Sequence, residues 1–531
     1  MKKQTKGIIF LVVIGSLLFF WGAAASMKGF SPPDSELEMT VTGTPADNFP
    51  DEQRAQFCGT GVAKSNAYVK EYKIPTDCTQ PLAITTDPYG NVWFAETNTG
   101  NIAKFDSRTE TFTEYENPTW PKNARSMMWG MDYSSDGSIW YTDEAFDSVW
   151  RFSIQDENYQ RLNYPVEGES LPQRLQVEGS QIIVNDFYGN KITFLDAAQS
   201  SEEELTYMSL PSPVPNSVTS GFAIDSDDNL WYTNWIFQQD GVLVRFEQDN
   251  YFAALSNSAG PLPPLFDFIQ LFKLPLGLNT PNGATVDLDG KIWLAETSSS
   301  YFFRFDPETE SFTKYVTSDP TISAYGNASG LIKNPVTRPY WINLDENGRL
   351  VFNEQTANRI AIFDPKTETL TEYMVPSKNP GWADCGQIED CGLAQIFDFT
   401  IDGSKIWFTE WVENNIGVVD TSIGLPFEVE LDTDQITLGK GDTATLILKV
   451  LPLTNSDIPN VTITYSSTAQ FSDIVINTDI DQFQLDFDGP RVIRTSITAN
   501  ENALVNIHKV LIGAQTDEVT ISKYVTVKIV Q

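Results

Sequence analysis

Seven short apolar runs in this chain each end on a side chain able to offer oxygen to a ligand. They are residues 92–96 (VWFAE), 139–143 (IWYTD), 182–186 (IIVND), 230–234 (LWYTN), 292–296 (IWLAE), 350–354 (LVFNE) and 406–410 (IWFTE). The closing residues are Glu96, Asp143, Asp186, Asn234, Glu296, Glu354 and Glu410. Six carboxylates and an amide, if brought together, would make an oxygen-only donor set suited to a hard cation such as Ca2+ or Mg2+. Like charges held close raise one another's pKa unless a cation or hydrogen-bond donors offset them. The plainer alternative is that each carboxylate accepts hydrogen bonds from its own loop backbone. Trp129, Trp235 and Trp411 add aromatic surface near these positions, and they join Glu96, Asp143, Asp186, Asn234, Glu354 and Glu410 as candidate ligand-binding residues. One chemistry is missing: the single histidine, His508, lies far from the seven runs. Proton abstraction near neutral pH has no histidine base among them.

The elements that must position these residues repeat with them. Each run is followed after a polar tip by a second apolar run, as in residues 405–420 (KIWFTEWVENNIGVVD), and in the first six copies then by a strand closing on proline. Seven copies spaced by roughly 40–60 residues predict seven blades of a β-propeller. Each blade opens with a short apolar strand and turns at a dipeptide such as Asp289-Gly290 or Asn347-Gly348, which suits the positive φ of hairpin turns. Proline-closed segments come one copy early: residues 69–75 precede the first repeat, and none follows the seventh. Ring closure explains the offset, with residues 69–75 supplying the outer strand of the last blade. Trp93, Trp140, Trp231, Trp293 and Trp407 are expected to pack between blades. In a propeller the loops after the second and fourth strands open on one face, so the residue closing each second strand is expected at the mouth of the central channel. The fourth blade carries an apolar, proline-bearing loop between Phe246 and Asp267, either a docking patch or a cover for its own blade.

Beyond Asp420 the pattern becomes alternating apolar and polar, as in ATLILKV and VTISKYVTVKIV, which reads as a seven-stranded Ig-like β-sandwich. The expected organisation is all-β: residues 1–27 a signal peptide or membrane anchor, 28–66 a linker, 67–422 the propeller and 427–531 the sandwich. Lys2, Lys3 and Lys6 precede an apolar run over residues 7–25, and acidic residues follow it. That arrangement directs the rest of the chain out of the cytoplasm, as a secreted protein or one anchored in the cytoplasmic membrane by its N-terminus. Cys58, Cys78, Cys385 and Cys391 allow two disulfides in an oxidising compartment, pairing locally or between neighbouring blades. The formal charge of −36 excludes nucleic acid as a natural partner, since phosphate backbones would be repelled. Asn327-Ala-Ser329 and Asn460-Val-Thr462 match the acceptor pattern for N-glycosylation.

The form W-[FY]-x-E followed by N-x-I-G-x-[VI]-D, clearest in WFTEW…NNIGVVD, resembles the virginiamycin B lyase family, the streptogramin lyases. The resemblance spans nearly all of residues 67–420 and implies a seven-bladed propeller. It also implies a lyase that opens a cyclic lactone by elimination, with a histidine base and a magnesium ion held by glutamate. Family blades often begin Pro-His-Gly-Ile. Here the equivalent places read Pro81-Leu82-Ala83-Ile84, Trp129-Gly130-Met131, Gln173, Gly221-Phe222-Ala223, Pro281-Asn282-Gly283, Tyr340-Trp341 and Leu393-Ala394, without histidine. The fold implication carries over and the lyase mechanism does not. Pro281-Asn282-Gly283 also resembles a segment of the SMP-30/gluconolactonase propellers, in which the asparagine helps to hold a divalent metal. That similarity implies a metal set of Asn282, Glu296, Glu354 and Glu410 around Ca2+ or Mg2+.

Three expectations follow. The first is a ligand-binding propeller facing a small molecule, a glycan or an envelope protein. The second is a metal-dependent lyase or lactonase-like hydrolase using the mouth carboxylates, and the third is a structural protein of the cell envelope.

Overall fold

The computed structural model describes residues 58, 62–121, 124–165, 170–200, 205–236, 239, 241–257, 263–325, 335–380, 383, 385–469 and 472–531. The apolar N-terminal run, nearly all of the linker and Asn327 lie outside these residues. Within them no helix is long and apolar enough to cross a membrane. Strands dominate.

Seven sheets of at least four strands follow one another. Blade 1 is β2 (Pro81–Thr86), β3 (Asn91–Glu96), β4 (Asn101–Asp106) and β5 (Thr111–Tyr115). Blade 2 runs from Met131 to Asn163, blade 3 from Pro172 to Pro211, blade 4 from Val218 to Lys273, and blade 5 from Pro281 to Val316. Blade 6 contains β22 (Pro339–Leu344), β23 (Leu350–Glu354), β24 (Arg359–Asp364) and β25 (Thr369–Met374). Blade 7 has β26 (Ile396–Asp402), β27 (Lys405–Glu410) and β28 (Asn415–Asp420), completed by β1 (Val69–Lys73) from the other end of the chain. Val69 stands opposite Val419 and Lys73 opposite Asn415, so the ring closes as the proline offset predicted.

A small device recurs where the first two strands of a blade turn. Asp87 accepts from the Tyr89 and Asn91 amides and from the Trp93 indole nitrogen at 2.9 Å. Asp225 with Trp231 and Asp287 with Trp293 repeat it at 2.7 Å. One carboxylate thus satisfies a tight turn and anchors a large buried ring. The anchored rings pack across blade boundaries: Trp93 on Phe152, Trp231 on Phe305 and Trp293 on Phe363, with centroids 5.5–6.1 Å apart. The long loop of blade 4 forms α1 (Gln248–Asn257) and a 3-10 turn at Leu265–Phe268. Tyr251 packs on Phe246 and Phe268, and Phe252 on Phe194, so the described part of this loop covers its own neighbourhood.

The C-terminal region has nine described strands where the sequence suggested seven. One sheet is β29 (Phe427–Leu431), β31 (Thr443–Pro452), β35 (Arg491–Ala499) and β33 (Ile474–Thr478). The other holds β30 (Gln435–Gly439), β37 (Val519–Val530), β36 (Ile507–Gln515), β32 (Ile458–Ser467) and β34 (Gln482–Leu485). Alternate residues of both sheets, among them Leu446, Leu448, Val461, Ile493 and Val510, share one apolar core. This second sheet is not separate from the propeller. β37 pairs antiparallel with β25, Thr369 opposite Lys523 and Tyr373 opposite Val519, so blade 6 runs on into it. Lys509 reaches Glu368 at 2.6 Å, and the Tyr524 hydroxyl donates to the Val316 carbonyl. The cysteines pair locally, Cys58 with Cys78 and Cys385 with Cys391, not between blades.

Candidate functional site at the channel mouth

In six of the seven blades the pairing of the inner strand with the second strand carries a β-bulge at its start. Pro81 stands opposite Glu96, Pro172 opposite Asp186, Thr219 opposite Asn234, Pro281 opposite Glu296, Pro339 opposite Glu354 and Ile396 opposite Glu410. In each case the register then slips, which re-aims the next side chains. The residues so placed are Leu82, Gln173, Ser220, Asn282, Tyr340 and Phe397. Trp129 occupies the same place in blade 2, where the neighbouring Gly130 carbonyl accepts from the Thr142 amide. For blade 7 this corrects the sequence alignment: the place belongs to Ile396-Phe397, not Leu393-Ala394.

These positions meet across the ring. Phe397 of blade 7 packs edge-on against Trp129 of blade 2 at 5.7 Å, against Tyr340 of blade 6 at 6.0 Å and against Trp411 at 5.4 Å. One layer further in, Arg174 of blade 3 pairs with Asp398 of blade 7 at 3.3 Å and lies 5.1 Å above the Trp341 ring of blade 6. The Asp398 carboxylate also accepts from the Ile84 and Phe399 amides. Burial pushes its pKa up to about 6 against the opposing pull of Arg174. Gly221 leaves room for this layer, because a Cβ there would come within 2.8 Å of Trp341. Contacts between non-adjacent blades bring aromatic rings together around the Arg174–Asp398 pair.

Asn282 is less well supplied with hydrogen-bond partners. It is fully buried, and neither its Oδ1 nor its Nδ2 completes a hydrogen bond. The Tyr340 hydroxyl is near enough for the amide to favour its ionised form slightly, against a much larger effect of burial. Trp235 lies on the same side, its indole donating to the Pro281 carbonyl at 3.0 Å and its ring packing on Phe187. The Trp129 indole donates to Glu144 at 2.9 Å.

The seven residues that close the second strands are each held by hydrogen bonds near their own strand ends. All are fully buried and engaged with their own blades. Asp143 accepts from the Trp150 indole at 3.1 Å and from the Ala145 amide and the Ser126 hydroxyl. Asp186 holds the Leu171 and Gly189 amides at 2.7 Å, and Asn234 donates to Thr219. Glu296 is held by the Asn279 and Thr280 amides, both at 2.8 Å, and by the Thr280 and Ser298 hydroxyls. Glu96 accepts from Thr99, Glu354 from Arg359 and Glu410 from Asn415. The set Asn282, Glu296, Glu354 and Glu410 is therefore spread over separate surroundings. Among the described residues no three His, Cys, Asp or Glu side chains come together as a metal ion would require.

Sequence reading thus found Trp129 and Trp411, which converge on Phe397, but missed Phe397, Arg174 and Asp398 as channel residues. The signal available was the alignment of each blade on the residue preceding the bulge.

No protein-family model matches this chain, and no curated protein is similar to it. Solved structures do match. Virginiamycin B lyase from Staphylococcus aureus is 21% identical, over 66% of this chain and 98% of that one, with a TM-score of 0.50. A catalytically inactive form of the Staphylococcus aureus lyase with quinupristin is also 21% identical, over 66% and 98%, with a TM-score of 0.49. A streptogramin B lyase structure is 22% identical, over 67% and 99%, with a TM-score of 0.49. The fold is a virginiamycin B lyase-like propeller.

Proposed function

We propose that this chain is an exported ligand-binding propeller in which the channel mouth receives a neutral small molecule or glycan and performs no elimination. The observation that carries the reading is Asn282, a fully buried amide that makes no well-formed hydrogen bond and has the Tyr340 hydroxyl beside it among the aromatic residues of the mouth. A buried amide without partners costs free energy that a ligand's hydroxyl or amide group would recover. Trp129, Tyr340, Phe397 and Trp411 supply the apolar flank typical of such sites.

The absence of a base supports binding without turnover. The propeller has no histidine, and the Asp398 carboxylate is occupied by two amides and Arg174. The divalent-ion alternative has less support, because its four residues do not converge. The N-terminal charge and hydropathy pattern supports export, by secretion or by an anchor in the cytoplasmic membrane. The two disulfides are compatible with an oxidising exterior. On this reading the C-terminal strands are an Ig-like accessory module that holds the propeller at the cell envelope.

Titration calorimetry of the full chain with quinupristin and with a panel of neutral oligosaccharides tests the reading. Saturable binding to at least one of them is expected, lost in Asn282→Leu, with every ligand recovered intact by mass spectrometry. A linearised product, with or without magnesium, would overturn the binding-only reading. Full affinity in Asn282→Leu would remove the site.

A further inference from the structure

Three blades share an arrangement that the mouth does not use. In blade 1, Glu96 stands opposite Asn101, and two residues along β4 the small Ala103 stands opposite Glu114. In blade 6, Glu354 stands opposite Arg359, and Ala361 opposite Glu372. In blade 7, Glu410 stands opposite Asn415, and Gly417 opposite Glu71 of the closing strand. The glutamates of the second and fourth strands face each other diagonally across the third strand, while the small residue there accommodates the second strand's phenylalanine ring, as Phe408 over Gly417. Blade 5 shows the converse: Phe303 replaces the small residue and Lys314 the second glutamate, and Glu296 is held by loop amides instead.

The meeting carboxyls are poorly supplied with donors. Glu96 Oε1, Glu354 Oε1 and Glu410 Oε1 are each buried without a hydrogen-bond partner. Around the first pair stand Thr99, the Thr76 hydroxyl and amide on Glu114, and the Tyr159 hydroxyl of blade 2, with no cation among them. The second pair shares one cation: Arg359 Nη1 lies 3.3 Å from both Glu354 and Glu372, and Asp319 and Tyr524 face the pair. At the third, Glu71 takes the Ser377 amide and hydroxyl and the Lys64 amide, while Glu413 adds a further acid and the Lys64 side chain a distant positive charge.

We propose that each pair is closed by a shared proton, which makes the propeller a proton-sensitive ring, fastened in mildly acidic surroundings and loosened at blades 1, 6 and 7 as the surroundings turn alkaline. Two carboxylates cannot both stay ionised in a buried site without a cation for each, whereas one proton turns their repulsion into a hydrogen bond. Burial, then the facing carboxylate, pushes Glu96, Glu354 and Glu410 well above the usual carboxylate range. Burial also raises Glu71, and burial with Glu71 nearby takes Glu413 to about 7.

The direction follows from proton linkage. A carboxyl whose folded pKa is raised stabilises the fold fully below its ordinary value of 4.5 and loses that contribution as pH climbs through the raised value. Each proton held only by the folded state makes the unfolding constant rise about tenfold per pH unit within that window.

Urea unfolding of the full chain between pH 5 and pH 9 tests this, with wild type against Glu410→Gln, and Glu96→Gln as a second variant should the first not fold. Glutamine keeps the neutral shape of the protonated acid, so the slope of stability against pH should fall by about one proton and the variant should exceed wild type at pH 9. Equal slopes in wild type and both pair variants would overturn the proposal. So would a rise in wild-type stability at pH 9 on adding Ca2+ or Mg2+ that Glu410→Gln and Glu96→Gln abolish, since a cation and not a proton would then join the carboxyls.

Discussion

The ring of Trp341, on blade 6, lies against the α-carbon of Gly221 on blade 4, close enough that a methyl group added there would sit 2.8 Å from it. The inner strands therefore interlock across the channel as well as side by side. Gly221→Ala is expected to destabilise the propeller by about 1–3 kcal/mol through overpacking. Adding Trp341→Leu should restore part of the loss, and a double-mutant cycle from urea unfolding measures the coupling.

Arg174 and Asp398 make the one ion pair in this interlock, and removing the arginine strands a buried carboxylate. Arg174→Met should cost about 3 kcal/mol at pH 8. The loss should shrink toward pH 5. Asp398 already sits at about 6 in the folded chain, and without Arg174 it moves higher, so protonation on acidification relieves the uncompensated charge. Thermal melts of wild type and variant across this pH range decide the matter; a loss independent of pH would show that the arginine acts only by packing on Trp341.

Ring closure rests on five paired positions between β1 and β28. Deleting residues 69–73 should abolish cooperative unfolding, because blade 7 then presents an open edge where the first and last parts of the ring meet. Circular dichroism melts read the outcome, and a sharp transition near the wild-type temperature would exclude closure as the source of cohesion.

The pairing of β25 with β37 predicts that the propeller and the C-terminal strands unfold together. A proline at Ile521, which stands opposite Thr371, removes a backbone donor from the middle of the shared sheet. Calorimetry should show one transition for wild type and a lower or divided one for Ile521→Pro.

Much of this architecture was legible before any coordinates. Tryptophans and strand-closing acids recur in register, and the surplus proline-closed segment at residues 69–75 points to the partner of the last blade. The mouth was less legible. The second-strand acids look like a ring in a list of repeats, yet each is held by hydrogen-bond donors near its own strand end, a matter of local geometry that residue types do not encode. Phe397 escaped because blade 7 has Ile396 where four other blades have proline, and because the Cys385–Cys391 loop lengthens the approach to it. Arg174 and Asp398 are 224 residues apart, and nothing in either neighbourhood names the other. The shared sheet was hidden by the change of pattern after Asp420, which suggests a detached module.

That shared sheet has a mechanical meaning. A domain joined by a loop can swivel, so the direction in which its opening points is an average over many orientations. Here the joint is a ladder of main-chain hydrogen bonds between β25 and β37, with Lys509 clasping Glu368 beside it. Whatever grips the C-terminal strands therefore also aims the channel, and a pull on those strands reaches blade 6 as shear along paired backbones with no slack to take up first.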